Sequence, residues 1–191
     1  MTTAATGVGQ IDQTAFRTVL GHFCTGVAVI TGRGPDGPVG FACQSFAALS
    51  LDPPLVLFCP TKASGTWPVI EAAGTFAVNV LAADQRDVST VFGSRGADKF
   101  ASLQWRPAAS GAPLLDGVVT WIDCAVETVH DGGDHYVVVG RVLELGPSSP
   151  ERPLLFYRGR YTGTAPERGE AIPADRPLDA FLPWPVGDDW V

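Results

Sequence analysis

The chain has 191 residues, of which 46% are hydrophobic and 17% charged, so it is long enough to fold as one globular domain around its own core. Its net charge of −7 argues against a broad basic surface for nucleic acid. An anionic ligand would therefore need local positive charge, for which the candidates are Lys62, Arg95, Lys99, Arg158 and Arg160.

The spacing of cysteines and histidines predicts no metal site. The 4 cysteines form no C-x-x-C pair, and the 3 histidines do not complete a ligand set. We expect free thiols, as is usual in a reducing compartment. The N-terminal residues carry neither the basic nor the apolar part of a signal peptide, and no apolar run reaches transmembrane length. These features predict a cytoplasmic protein that does not enter a membrane.

The first third of the chain predicts a helix followed by a β-hairpin. Asp12 suits the N-cap of the helix, and apolar residues follow at helical spacing as far as Phe23. Val27 to Thr31 and Pro38 to Ala42 are predicted as strands joined by a Pro-Asp-Gly turn. The apolar run Leu55 to Phe58 is typical of a short strand in a barrel wall.

The rest of the chain alternates strands with short helices. Helices are predicted for Thr66 to Ala73 and Asp84 to Phe92, and strands for Thr75 to Leu81, Val118 to Val129, His135 to Leu145, Pro153 to Tyr157 and Arg160 to Tyr161. At least six strands joined by short turns predict a mainly β, antiparallel, closed barrel with a few short helices. Residues 1–162 form the predicted domain, and residues 163–191 a Pro-rich, acidic tail.

Residues 43–67 combine a Pro-Pro pair, an apolar strand and a loop rich in hydroxyl groups. The hydroxyls come from Ser45, Ser50, Thr61, Ser64 and Thr66, and a positive charge comes from Lys62. Together these groups can hold a phosphate and the polar edge of a flat ring. Taken alone, Lys62 is better interpreted as a solvated loop charge, whereas its place in a hydroxyl-rich loop favours a phosphate contact. Because no G-x-G-x-x-G follows a strand, a nucleotide would not be bound in the Rossmann manner.

Six segments of this sequence resemble, in order, the short-chain flavin reductases, whose fold is the FMN-binding split barrel. They are Thr25–Thr31, Ser45–Phe46 with Ser50–Pro54, Phe76–Leu81, Asp98–Phe100, Gly133–His135 and Tyr157–Tyr161. The likeness covers residues 16–161. Within the family, segments 40–50 and 129–135 most resemble the reductase components of the two-component secosteroid hydroxylases of bacterial steroid catabolism.

The resemblance implies a set of cofactor-binding residues. Ala42, Cys43, Gln44 and Ser45 would line the isoalloxazine and ribityl chain, with Ser50 contributing a hydroxyl and Phe58, Cys59, Pro60 and Thr61 passing along the ring edge. Lys62, Ser64 and Thr66 would face the phosphate, joined by Lys99 and Phe100 from another loop. Where this chain has Cys43 the family commonly has a small polar residue, which puts a side-chain hydrogen bond in doubt there.

The nicotinamide side would be formed by His135 with Tyr157, Arg158, Gly159 and Tyr161. His135 is the catalytic candidate, although a structural histidine bonded to a backbone carbonyl is also common at the start of a strand. Phe100 and Trp67 are equally consistent with core or interface aromatics.

By resemblance, the protein is an NAD(P)H-dependent flavin reductase. It would supply reduced FMN or FAD to a partner monooxygenase of a two-component aromatic or steroid hydroxylase, through diffusible reduced flavin, and would act as a homodimer. Lack of an arginine cluster for a 2′-phosphate favours NADH over NADPH. The alternatives are a non-catalytic FMN-binding split barrel, a purely structural barrel and a pyridoxamine-phosphate oxidase-like barrel. The last of these usually has more Arg and Lys than residues 43–67 supply.

Overall fold

The computed structural model describes residues 11–96 and 98–165. Most of the predicted tail, which begins at position 163, therefore lies outside the described residues. Within them the helices are α1 (Gln13–Leu20), α2 (Trp67–Ala73) and α3 (Arg86–Gly93). The strands are β1 (Thr25–Gly26), β2 (Ala28–Gly34), β3 (Gly37–Cys43), β4 (Ala47–Leu51), β5 (Pro54–Phe58), β6 (Thr75–Val80), β7 (Trp105–Pro107), β8 (Pro113–Leu115), β9 (Thr120–Gly132), β10 (His135–Leu145), β11 (Leu155–Tyr157) and β12 (Arg160–Thr162).

The main element is a seven-stranded antiparallel sheet with the strand order β3-β2-β6-β9-β10-β5-β4 among the described residues. No ladder joins β3 to β4 in that part of the chain, so the predicted closed barrel is open along one seam. A side chain spans the seam instead. The Ser45 hydroxyl accepts a hydrogen bond from the Cys59 amide at 2.8 Å, which ties the end of β3 to the end of β5.

The sheet buries side chains on both of its faces. Phe58 and Phe76 pack edge to face at 5.0 Å between ring centroids, with Trp67 of α2 against them, and form the interior of the curled sheet. On the outer face, Val29 and Leu81 pack against Phe92 of α3. Because successive strand residues point to opposite faces, β2 contributes alternate residues to both clusters. This explains why β2 is continuously buried from residue 28 to 32.

The predicted helices and hairpins agree with the structure to within a few residues. Asp12 caps α1 by accepting a hydrogen bond from the Ala15 amide at 2.8 Å. Helix α3, predicted from Asp84, begins at Arg86, with Gln85 at the N-cap position. Four short strands, β1, β4, β7 and β8, of 2, 5, 3 and 3 residues, are not predicted from the sequence.

Candidate active site

A cleft of about 1540 Å³ opens beside the seam, between β3, the loop after β5 and the C-terminal end of α3. Its volume exceeds the roughly 300–1,000 Å³ of ordinary ligand pockets, so it can hold more than one small molecule. Of the predicted site residues, the cleft is lined by Ala42, Cys43, Gln44, Ser45, Cys59, Pro60, Thr61, Ser64, Thr66, Lys99, Phe100, His135 and Tyr161. The structure therefore brings together most of the predicted site residues, from five separate stretches of the chain.

One wall of the cleft is β3, an edge strand. Only β2 pairs with it among the described residues, so alternate backbone N–H and C=O groups of β3 face away from the sheet. At its end, the Cys43 thiol lies 3.3 Å from the Ser45 hydroxyl, and burial raises the pKa of Cys43. The thiol is therefore neutral, and this wall offers backbone and hydroxyl groups rather than charge.

The facing wall is the hydroxyl-rich loop between β5 and α2. Ser64 Oγ accepts hydrogen bonds from the amides of Thr66 and Trp67, at 3.2 and 3.1 Å, and so caps the start of α2. Because a hydroxyl can accept two bonds and still donate one, Ser64 keeps its proton for a ligand. The loop is held at its other end by a β-bridge between Thr61 and His135.

Two cations line the far end of the cleft. Lys99 is partly buried, and its ammonium group donates to the carbonyls of Phe92 at 3.0 Å and Gly40 at 3.4 Å. Burial lowers the pKa of Lys99. Arg95 extends from the loop after α3 and is exposed. Lys99, Arg95 and the loop that carries Ser64 and Thr66 thus line one cleft, which offers positive charge and hydroxyl donors to an anionic group.

Lys62 is directed elsewhere. Its ammonium group lies 2.5 Å from Asp131 Oδ2 in the β9–β10 turn and 5.5 Å from the centre of the Tyr136 ring. It does not line the cleft. The phosphate contact expected of Lys62 is therefore not supported by the observed geometry, because its charge is neutralised by a carboxylate 69 positions further along the chain.

His135 opens β10 at the rim of the cleft. Its side chain is half-exposed, and its Nδ1 lies 2.7 Å from Asp134 Oδ1. The main chain on either side is fixed to the opposite wall, since the Tyr136 amide donates to the Pro60 carbonyl and the Lys62 amide to the Asp134 carbonyl, both at 2.9 Å. The imidazole is thus presented to the cleft from a rigid backbone.

On the side of β11 and β12, only one of the four predicted residues reaches the cleft. The Tyr161 hydroxyl lies 3.0 Å from the Ser89 hydroxyl, and the guanidinium group of Arg86 covers the Tyr161 ring at 5.2 Å. Tyr157 instead packs edge to face on the His22 ring at 6.3 Å. Arg158 and Gly159 form the tight turn between the strands, with φ of 50° and 76°, and lie away from the cleft.

Two further predicted contacts are not supported by the structure. Phe58 has no exposed surface and lies in the interior cluster, because alternation along β5 turns Val56 and Phe58 inward. Ser50 lies on β4 and does not line the cleft. Other lining residues, mainly from β3 and the end of α3, are not predicted from the sequence: Val27, Pro38, Val39, Gly40, Phe41, Ala63, Gly65, Ser89, Thr90, Phe92, Gly93, Ser94, Gly96, Asp98 and Phe156. The run Ser94-Arg95-Gly96 was the available signal, since it combines a hydroxyl, a cation and a glycine.

Within residues 11–96 and 98–165 no cluster of His, Cys, Asp or Glu could hold a metal ion. All four cysteines are free thiols, of which Cys43 and Cys124 are buried. No helix in the described part of the chain is both long and apolar enough to span a membrane.

Comparison with known proteins places the chain and its fold in one family. Residues 20–165 match the model of the flavin reductase like domain. The chain belongs to this family. It is 56% identical to the flavin-dependent monooxygenase, reductase subunit HsaB, of Mycobacterium tuberculosis, over 95% of this chain and 98% of that protein.

Two solved structures have the same fold. Nitrilotriacetate monooxygenase component B from Mycobacterium thermoresistibile is 58% identical, with a TM-score of 0.80 over 90% of this chain and 97% of that one. The Streptomyces globisporus NADH:FAD oxidoreductase SgcE6, in complex with NAD and FAD fragments, is 37% identical, with a TM-score of 0.78 over 82% of this chain and 95% of that one.

These findings confirm several predictions made from the sequence. The protein is a mainly β flavin reductase of the split-barrel type, an oxidoreductase that uses flavin and a nicotinamide nucleotide. It is a reductase of the kind that supplies a partner flavin-dependent monooxygenase. The resemblance to the reductase components of the steroid hydroxylases is also confirmed.

Proposed function

We propose that the cleft binds flavin with its isoalloxazine ring between Ala42–Ser45 and Cys59–Thr61 and its phosphate at the end formed by Ser64, Thr66 and Lys99. The observation that carries this proposal is the meeting of the hydroxyl-rich loop with the cationic end of α3 in one cleft. The residues present fit a flavin, since β3 offers unpaired backbone groups for the ring edge and the far end offers hydroxyls and positive charge for the phosphate.

Lys62 has a smaller role in this proposal than the sequence suggested. Its ammonium group is engaged by Asp131 outside the cleft, whereas Lys99 lines the cleft and is held in place by two backbone carbonyls. We therefore assign the phosphate contact to Lys99, with Arg95 as a second cation in reach of a longer, dinucleotide flavin. FMN and FAD are both compatible with this arrangement.

His135 and Tyr161 would form the nicotinamide side of the cleft. The bound flavin and nicotinamide supply the chemistry themselves, which is transfer of a hydride from the nicotinamide to the flavin. The protein has to stack the two rings, and no strong acid or base is needed for that step. His135 is suited to orient the nicotinamide because its backbone is fixed on both sides while its imidazole reaches the rim.

We further propose NADH as the reductant and a steroid-degrading monooxygenase as the partner. The cations that line the cleft are assigned to the flavin end, which leaves no arginine cluster for a 2′-phosphate among the described lining residues. The identity to HsaB supports the partner. Transfer would occur through diffusible reduced flavin in the cytoplasm, because an open cleft with few charged contacts allows release.

A homodimer is part of this proposal, although the large aromatic residues Phe92 and Trp121 do not support it. Phe92 and Trp121 are buried within the single chain. Helix α1 supplies the argument instead, because none of its residues is buried and its apolar residues form one exposed face. That face consists of Phe16, Val19 and Leu20, and the flanking residues Ile11 and Phe23 are exposed as well. An apolar surface of this kind is expected to be covered by another chain.

The test of the proposed site is stopped-flow reduction of bound flavin by NADH in His135→Asn, beside a melting curve and the flavin dissociation constant. We expect slower hydride transfer or weaker NADH binding with unchanged flavin affinity, since asparagine keeps some hydrogen bonding but cannot replace the ring. His130→Asn is the matched control, because His130 is bonded to Thr128 on β9 at 3.0 Å and does not line the cleft. Unchanged hydride transfer in a stable His135→Asn variant would remove His135 from the mechanism.

A further inference from the structure

We propose that Asp134 is a positioning residue that holds the His135 imidazole in one tautomer and one orientation toward the nicotinamide. This inference rests on the proposed role of His135. Asp134 itself does not line the cleft, so it would act through His135 alone.

The contact between the two side chains determines the tautomer. His135 Nδ1 lies 2.7 Å from Asp134 Oδ1, within the range of a strong hydrogen bond. An ionised carboxylate can only accept, so Nδ1 must carry the proton of this bond. Nε2 is then the ring nitrogen left for a ligand. The hydrogen bond from His135 lowers the pKa of Asp134, and the charge of the ring lowers it by a smaller amount. The carboxylate therefore stays ionised and able to accept.

Asp134 has a fixed position because the chain around it is bound to the opposite wall. Its carbonyl accepts a hydrogen bond from the Lys62 amide at 2.9 Å. On the other side of His135, the Tyr136 amide donates to the Pro60 carbonyl, also at 2.9 Å. The backbone around His135 is thus fixed on both sides, and the Asp134 carboxylate lies beside the imidazole although it is exposed to solvent.

The same turn provides a matched control. Asp131 and Asp134 are both exposed, and both have a pKa lowered by a cationic or histidine partner. Only Asp134 touches His135. Asp131→Ala and Asp134→Ala therefore remove equal charge from one turn, and only the second removes the acceptor from the imidazole.

The experiment reads the His135 tautomer by ¹⁵N NMR at about pH 8, where histidine side chains are commonly neutral. It also measures the rate of flavin reduction at saturating NADH. In the unsubstituted protein and in Asp131→Ala we expect the Nδ1–H tautomer. In Asp134→Ala we expect a shift toward Nε2–H and a fall in the rate of about two- to tenfold, the effect of losing one ordinary hydrogen bond. Flavin affinity should not change.

The double variant separates this inference from the role of His135. In a His135→Asn background, Asp134→Ala should have no further effect on the rate, because Asp134 acts only through the imidazole. An additional loss there, an Nε2–H tautomer in the unsubstituted protein, or equal effects of Asp131→Ala and Asp134→Ala would overturn the inference. If the tautomer shifts while His135→Asn reduces flavin at the normal rate, the proposed role of His135 has failed, and the positioning role fails with it.

Discussion

Replacing Lys99 by methionine should weaken the binding of FMN far more than that of riboflavin. Methionine keeps most of the length of the lysine side chain but removes its charge and its three donors. A hydrogen bond to a charged group contributes about 1.5–3 kcal/mol, which corresponds to about a 10- to 150-fold rise in the Michaelis constant for FMN. We expect the upper half of this range, because Lys99 is partly buried and its ammonium group is already fixed by Phe92 and Gly40.

The assay is steady-state NADH oxidation with FMN and with riboflavin, which lacks the phosphate. Loss of Lys99 also removes a donor from two backbone carbonyls, so the melting temperature should fall, and any general damage to the cleft should affect both flavins equally. Lys62→Met is the control. Its partner Asp131 is exposed and lies outside the cleft, so its loss should change neither Michaelis constant appreciably. Lys99→Arg, which keeps the charge, should restore part of the preference for FMN.

The pH dependence follows from the same site. Burial lowers the pKa of Lys99 from its usual 10.5, so the ammonium group loses its charge at a lower pH in the folded protein than in the unfolded chain. The preference for FMN over riboflavin should therefore decline as the pH rises, and this decline should begin below pH 10.5. The effect on stability has the opposite sign. Below the lowered pKa, burial of the charged ammonium group decreases the free energy of unfolding, and this penalty disappears as the pH rises through 10.5.

A tenfold rise in the Michaelis constant for FMN in Lys62→Met, with none in Lys99→Met, would refute this assignment of the phosphate contact.

Two further predictions concern the core and the assembly. Phe58→Leu should lower the free energy of unfolding by about 0.5–3 kcal/mol, measured by denaturant unfolding, while the flavin Michaelis constant stays the same, because Phe58 packs on Trp67 and Phe76 and not on the cleft. A changed Michaelis constant for flavin with unchanged stability would show that Phe58 contributes to the flavin site. In sedimentation velocity at micromolar concentration, the native chain should be a dimer and Val19→Asp a monomer, since Val19 is 68% exposed on the apolar face of α1. Thr14→Asp, on the same helix but outside that face, should remain dimeric, and a native chain that sediments only as a monomer would contradict the proposal.

The sequence could predict those parts of the fold that depend on local patterns. Helix α1 and the long hairpin of β9 and β10 followed from periodicity and from turn residues, and both lie close to the predicted limits. The missed strands have a common cause. β1, β7 and β8 contain two or three residues each, too few for an alternation pattern, and their pairing partners lie elsewhere in the chain or around an irregular loop. β4 is mostly exposed, so it lacks the apolar alternation that identifies a buried strand.

The errors at the site arise from contacts between distant residues. The hydroxyl-rich loop was recognised because its chemistry is local, and it does line the cleft. Lys62 was assigned to the phosphate because the sequence gives no sign that Asp131, 69 residues away, takes its charge. The C-terminal end of α3 is not predicted as part of the site, because it is distant from β3 in sequence. The pairing of β2 with both β3 and β6 brings the two together. The burial of Phe58, by contrast, depends on no distant contact. Alternation along β5 directs its side chain inward, and this could be predicted from the strand alone.

The positions of these contacts explain why the cleft is assembled where the barrel is open. A fully closed ladder would pair the outer backbone groups of β3 with a neighbouring strand and leave none for a ligand. Here the Ser45 hydroxyl bridges the end of β3 to the end of β5, and the Phe41 and Phe58 rings pack across the seam at 6.2 Å between centroids, while the backbone edge of β3 faces the cleft. The loop that carries Ser64 and the start of β10 are joined by backbone hydrogen bonds. The Lys62 side chain lies outside the cleft beside the exposed Asp131, so Lys99 is the cation that we propose for the flavin phosphate.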